Sequence, residues 1–471
     1  MPTMAMEPEI HAEPGKPGRP SDARSRMTVE PAQYQIDPEL VVSLLTDEAF
    51  RPAEPANLED TGLSETLVES LICKRLAVCG SASGREVAKD VCLPFTIVSE
   101  VLASLRSRKL LTHSGAALFN DFTYQLSELG VQRSQEMLRD CAYVGAAPVP
   151  LAEYVLSVRA QSIAHEAPNR EKLTEACRGI SVDPTMFQSL GPAINSGGAM
   201  FLYGAPGNGK STLARHITAC FGQRIWVPHA IIDAGQLIKL YDSQFHIPSD
   251  DTGDDKPQAA AIDRRWVQIK RPTVVVGGEL TLDNLELRHH RETNICEAPL
   301  QMKSNCGCLL IDDFGRQRIA PADLLNRWIV PLESQHDFLT LPTGKKIQVP
   351  FAQIVIFSTN LDPEDLVDEA FLRRIPYKIH AYDPTDDEFY LLFRLYCDKF
   401  GCEYRKEVVS YLLETHYRRC GRAKRRCHPR DLLSQIRNYC RYNVVPFELL
   451  PEYFDIAVKT YFATVSEAKP S

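Results

Sequence analysis

No surplus of positive charge marks this chain: 53 Lys and Arg stand against 61 Asp and Glu, for a net charge of −8. General attraction to a polyanion is thereby excluded, and any nucleic-acid contact has to come from a local basic patch. Long apolar runs are missing as well. None approaches the ~20 residues a membrane helix needs, so no membrane insertion is expected. The 14 cysteines form no repeating framework and follow no secretory leader, which points to a reducing compartment and a cytoplasmic protein. They also lack the paired spacing of a structural zinc site. Neither Cys296, Cys306 and Cys308 with His289 and His290, nor Cys420 and Cys427 with His428, fits one, and Cys308 falls in an apolar run where a thiol packs as a small hydrophobe. No internal repeat is evident.

What is present is a chain of 471 residues, 44% hydrophobic and 24% charged, ordinary for soluble globular protein and long enough for two to four domains. Residues 1–60 are rich in proline and acid and read as a flexible tail, within which "DPELVVSLLTDEAF" admits a short helix as a docking element. Residues 61–145 change to short helices, with a break at Pro94, then a strand-like "FTYQLSELG" and another helix. That order resembles a winged helix-turn-helix. Between Ser64 and Asp140 nine Lys/Arg meet nine Asp/Glu, so protein docking or a structural role is favoured over DNA contact. Residues 146–385 carry the punctuation of an α/β domain, and 386–471 read as all helix.

The stretch "MFLYGAPGNGKSTLAR" fits G-x-x-x-x-G-K-[ST], with Gly204, Gly209, Lys210 and Ser211 at the fixed positions. A strand-like "AMFLY" precedes the loop and a helix-like "STLARHITACF" follows it. Glycines at 204, 207 and 209 let the backbone curl so that N–H groups turn toward phosphate oxygens, and the helix N-terminus adds partial positive charge. Asn208 and Thr212 complete the candidate nucleotide-binding set. Lys210 would reach the β- and γ-phosphates, and the Ser211 hydroxyl would ligate Mg²⁺.

A site of this kind needs a carboxylate at the end of a neighbouring strand. "CGCLLIDDFG" supplies an apolar strand, Cys308 to Ile311, with Asp312 at its C-terminal end as the second metal ligand. Asp313 is the candidate to orient or deprotonate the attacking water. A further strand, "FAQIVIFSTN", ends on Asn360, whose amide can position that water. "DEAFLRRIPYKI" places Arg373 and Arg374 after a short helix, and "CHPRDLL" places Arg430 at the start of a helix in the C-terminal domain.

Over roughly residues 185 to 460 this order of motifs resembles the AAA+ ATPase superfamily. The resemblance implies an α/β P-loop NTPase core with a parallel sheet and a C-terminal helical lid, behind the N-terminal winged-helix-like domain. It implies ATP and Mg²⁺ at each subunit boundary of a homo-oligomeric ring, usually hexameric. Lys210 and Ser211 would be Walker A, Asp312 and Asp313 Walker B, Asn360 sensor 1 and Arg430 sensor 2. Arg374 most resembles the arginine finger that acts in the neighbour's site, with Arg373 as the fallback. Asp313 stands where the superfamily usually has Glu, one methylene shorter, which can slow turnover.

"DFLTLPTGKKIQVPFAQ" reads as a β-hairpin, with Phe338 to Leu341 and Ile347 to Val349 flanking a turn. It resembles the pre-sensor-1 hairpin clade, in which such loops face the ring pore and push on substrate. An insertion of about 224–300 holds a hairpin in "RIWVPHAIIDAGQLIKLYD" and an acidic loop, "PSDDTGDDKPQ". The full run is similar to a bacterial AAA+ set labelled predicted ATPases with chaperone activity. The expected function is ATP-driven remodelling of a protein partner. The alternatives are a DNA-binding motor or transcription regulator working through 61–145, and a nucleotide-gated scaffold with slow turnover.

Overall fold

The computed structural model describes residues 50–117, 121–180, 184–222, 224–249, 261–367 and 369–462. The expected tail up to residue 49, with most of its short helix, and residues 250–258 of the acidic loop lie outside these. From Phe50 onward the chain is packed: the Phe50 ring sits 5.3 Å from that of Trp266, and Ala53 bridges Ile262. The segment expected to be free up to about residue 60 is therefore pinned ten residues earlier.

The N-terminal module holds α1 (Glu65–Cys79), β1 (Ser81–Ser83), α2 (Gly84–Asp90), α3 (Phe95–Ser107), β2 (Leu111–Ala117), β3 (Asp121–Leu126) and α4 (Glu128–Asp140). Its helix starts are written in the sequence. Ser64 and Ser83 accept from the N–H groups of Leu67 and Glu86, and Pro94 sits just before α3. The three strands pair antiparallel in the order β1-β3-β2. Val68, Ile72, Leu76, Val98, Leu102 and Leu105 form the core between helices and sheet.

Next come β4 (Val149–Pro150), α5 (Leu151–Ala160), α6 (Arg170–Ala176), α7 (Pro184–Asn195), β5 (Ala199–Tyr203) and α8 (Lys210–Ile217). They are followed by β6 (Arg224–Pro228), β7 (Ala230–Asp233), β8 (Gln236–Lys239), β9 (Trp266–Lys270), β10 (Thr273–Val276), β11 (Arg288–His290), β12 (Ile295–Glu297) and β13 (Cys308–Ile311). The core ends with α9 (Pro321–Ser334), β14 (His336–Thr340), β15 (Lys346–Pro350), β16 (Ile354–Thr359), α10 (Glu369–Arg374) and β17 (Tyr377–His380).

Five of these strands form one sheet, in the order β10-β13-β16-β5-β17, with every neighbouring pair parallel. Their near-continuous apolar runs follow from burial on both faces. Met200 and Leu202 of β5 turn to one side with Leu190, Leu213 and Ile217, while Phe201 turns to the other with Leu324, Leu325 and Trp328. Strand β10 lies inside the range expected to be one insertion. It is an edge strand of this sheet, so the added material falls in two stretches on either side of it.

Those stretches build a second body. β11-β12-β8-β7-β4 form a mixed sheet, and β6 pairs antiparallel with β9. The expected hairpin narrows to β7–β8, whose turn residues Ala234 and Gly235 both take positive φ, whereas β6 leaves to join β9. The β14–β15 hairpin also belongs here. Its inner residues Leu339, Leu341, Ile347 and Val349 are buried against Tyr154, Ile231 and Ile238, and Lys345 near its tip pairs with Asp233 at 2.6 Å. Its other face, with Phe338, Thr340, Lys346 and Gln348, and its tip, Pro342 to Lys345, are open to solvent.

The C-terminal domain consists mainly of α11 (Asp386–Phe400), α12 (Lys406–Leu412), α13 (His428–Asn443) and α14 (Pro451–Tyr461). Thr385 and Glu388 form a capping box that starts it. Phe389, Phe393, Leu412, Leu433 and Phe454 fill its core.

Candidate nucleotide site

The site lies beyond the carboxyl ends of β5, β13 and β16, where the strand order reverses around β5; parallel α/β sheets put their ligands in this position. β5, the loop 204–209 and α8 are the strand–loop–helix unit of a P-loop fold. Gly204, Gly207 and Gly209 have φ of 132°, 85° and 80°, a region closed to most side chains. At Gly204 a Cβ would also meet Ala381 O at 2.7 Å.

Lys210 opens α8 and is 7% exposed. Its Nζ donates to Gly204 O at 2.8 Å, Ala205 O at 3.1 Å and Asn360 Oδ1 at 2.7 Å. Burial holds its pKa below the usual lysine value, opposed by the carboxylates of Asp312 and Asp313. One residue on, Ser211 Oγ donates to Asp312 Oδ2 at 2.6 Å, although 101 positions separate the two. Asn360 Nδ2 in turn donates to Asp313 Oδ1 at 3.1 Å. The loop, the end of β13 and the end of β16 are thus joined by a chain of charge-assisted hydrogen bonds.

Asp313 has φ of 51°, and Gln317 braces that turn. Gln317 Nε2 donates to the carbonyls of Asp312 and Asp313 at 2.9 and 3.0 Å, and its Oε1 accepts from Gly315 N at 2.8 Å. Gln317 carries no motif, since it acts only through backbone groups.

A cavity of about 860 Å³ runs from this cluster to the C-terminal domain, within the size range of small-molecule sites. Gly207, Asn208, Gly209, Lys210, Ser211 and Thr212 line one end with Asp312, Asp313 and Asn360. Ile180, Met186, Leu392, Leu395 and Tyr396 supply apolar lining to the same cavity. Arg430 reaches the same cavity from α13 while its Nε donates to Asp431 at 2.8 Å.

Sequence reasoning missed Arg426 and Cys427, which also line the cavity. Arg373 and Arg374 lie away from it. Arg373 is exposed, whereas Arg374 donates to Glu333 at 2.6 Å from the end of α10.

The donor set suits a nucleoside triphosphate with Mg²⁺. That ion commonly takes one or two protein oxygens and completes its shell with phosphate and water, and Ser211 and Asp312 place two oxygens side by side. Among the described residues no group of three or more His, Cys, Asp and Glu is arranged to hold a metal. No helix among them is long and apolar enough to cross a membrane.

Residues 385–460 match a family described as "Domain of unknown function (DUF8689)", which coincides with the C-terminal helical domain. No curated protein matches the chain. Similar solved structures include NtrX from Brucella abortus, at 11% identity and TM-score 0.39, covering 64% of this chain and 60% of that one. This chain therefore spans less than two thirds of NtrX. RuvB of Thermotoga maritima, titled a Holliday junction branch migration motor, has 13% identity and TM-score 0.33, covering 63% of this chain and 73% of that one. Neither likeness is close enough to carry a function.

Proposed function

We propose that this chain is an AAA+ ATPase of the cytoplasm that hydrolyses ATP with Mg²⁺ at the boundaries of a homo-oligomeric ring and uses the cycle to remodel a protein partner. The observation that carries the reading is the Ser211–Asp312 contact of 2.6 Å, which assembles a metal-ligand pair beside a glycine loop and a buried lysine. In this reading residues 386–471 are the lid and 61–145 a winged-helix-like docking module.

The chain's own groups supply the rest of the reaction. The N–H groups of residues 207–212 and the Lys210 ammonium bind and orient the phosphates. Lys210 exchanges Asn360 Oδ1 for phosphate oxygen, which leaves Asn360 free to orient a water. Asp313 accepts the proton of that water. Mg²⁺, when held by Ser211 and Asp312, neutralises charge on the phosphate oxygens.

Arg430 brings a lid cation to the same cavity. An arginine acting in trans has to leave its own subunit's surface, and the exposed Arg373 is better disposed to do so than Arg374, which would have to surrender Glu333. The left-handed backbone at residue 313 supports Asp as a working base rather than a defective Glu, because Asp tolerates that conformation better.

The test is phosphate release per subunit against protein concentration. A rate that climbs with concentration is expected, since each site is completed by its neighbour. A flat rate sinks the ring.

A further inference from the structure

Asn208 occupies a phosphate-loop position, yet its side chain turns away from the Ser211–Asp312 pair. Only 5% of the residue is exposed. Its Nδ2 donates to Ala381 O at 3.1 Å and to Asp383 Oδ1 at 2.7 Å, and its Oδ1 accepts from the backbone N of Arg426 at 3.3 Å. Both amide protons and one lone pair are thus spent on the end of β17, on the segment entering the C-terminal domain, and on that domain's own loop. Asp383 also holds the Arg425 guanidinium through its other oxygen. Beside this, Cys427 N donates to Gly207 O at 2.9 Å, and Cys427 Sγ lies where a Cβ of residue 207 would fall, at 2.6 Å.

We infer that Asn208, with Asp383, is a latch through which the position of the C-terminal domain sets the shape of the phosphate loop. Its side chain is a positioning group and does not touch the nucleotide, whatever its backbone N–H does. The mechanical step follows from peptide planarity. The C=O and N–H of a trans peptide point in opposite directions, so Cys427, by holding Gly207 O, aims the Asn208 N–H away from the domain. Withdrawal of the 425–427 loop breaks the Arg426 and Cys427 contacts together and lets that plane turn. Because such coupling is reciprocal, phosphate seated on the loop also biases the domain. The inference rests on the ATP reading for its purpose, though not for its geometry.

The experiment uses the full chain and two readouts. One is the rate of tryptic cleavage after Lys424, Arg425 and Arg426, which requires the loop to leave the site. The other is affinity for an unhydrolysable ATP analogue with Mg²⁺. Asn208→Ala is expected to speed cleavage about tenfold, the weight of one or two hydrogen bonds, while analogue affinity changes less than about fivefold and kcat falls more than KM moves.

Asn208→Asp sets two carboxylates against each other and should speed cleavage further. Asn208→Asp with Asp383→Asn restores the bond between the two positions in swapped polarity, though not the bond to Ala381 O or the Arg425 ion pair, and should slow cleavage relative to Asn208→Asp alone. If Asn208→Ala disturbs folding, Asp383→Ala, at the surface, takes its place with the same expectation for cleavage.

Unchanged cleavage in these variants, or no recovery in the swap, overturns the latch. So does a large loss of analogue affinity with cleavage unaltered, which would make Asn208 a nucleotide ligand. A wild-type chain that ignores the analogue sinks the ATP reading instead, and the cleavage comparison still decides the latch.

Discussion

Lys210 Nζ lies 2.7 Å from Asn360 Oδ1, a contact between the first residue of α8 and the end of β16. A buried ammonium is costly unless paired, and this one rests on neutral oxygens with its pKa pushed down by burial. Such a group is kept for a ligand rather than for stability. Lys210→Met is therefore expected to melt at or above the wild-type temperature while losing at least about 100-fold in ATP affinity, the scale of a strong charged contact. Calorimetric titration beside a thermal melt checks both. A variant that binds ATP normally, or that unfolds, contradicts the assignment.

Residue 313 sits at φ 51° and donates its own N–H to Asp312 Oδ1 at 3.2 Å. Asp313→Glu, the residue usual in the superfamily this sequence resembles, places a longer side chain on a backbone that costs most residues about 1 kcal/mol or more. Turnover is expected to fall rather than rise. Asp313→Asn should keep the shape and abolish hydrolysis while retaining ATP. Single-turnover phosphate release distinguishes these, and a faster Glu variant would favour the slow-scaffold alternative.

The two arginines of α10 separate by environment. Arg373 is exposed and Arg374 is tied to Glu333. Arg373→Ala should bind ATP, hydrolyse poorly alone, and regain turnover when mixed with Lys210→Met, whose intact Arg373 completes the neighbouring site, with an effect of about 10³-fold or more if it serves as a finger. Arg374→Ala should act mainly through the loss of an ion pair at the end of α10. The reverse pattern in a mixing assay restores Arg374 as the finger.

Much of this was legible locally. The loop, the Asp at the end of an apolar strand and the Asn at the end of another are each fixed by short-range spacing, and parallel strands announce themselves by unbroken apolar runs. What stayed hidden depends on distant pairing. Asn208 meets Asp383 across 175 positions and Arg426 across 218, with no pattern in either segment to mark the partner. Strand β10 was hidden for a related reason: a threonine and three valines say that a strand exists, but not which sheet it joins. The β14–β15 hairpin was read correctly as a hairpin, yet its alternation could not tell that the apolar face would be covered by α5 together with β7 and β8.

His428 is 7% exposed; its Nδ1 lies 2.9 Å from Tyr417 Oη, and burial, aided by Arg425, lowers its pKa to about 4. The folded protein keeps it neutral where the unfolded chain, near 6.5, has begun to bind a proton. Its contribution is therefore complete above about pH 6.5 and lost as pH falls toward 4, by up to about 3 kcal/mol. Denaturation of the C-terminal domain between pH 7.5 and 4.5 should show this fall, and His428→Gln should flatten it. Equal slopes would exclude His428 as the source.

The most direct test of the metal pair is Mg²⁺-dependent phosphate release by the full chain, wild type beside Asp312→Asn. The predicted result is release in the wild type that stops on chelation, with a loss of about 100-fold or more in the variant, a typical cost for a displaced metal ligand, although ATP still binds. Wild-type turnover in Asp312→Asn, or a wild-type protein indifferent to both ATP and Mg²⁺, would contradict it.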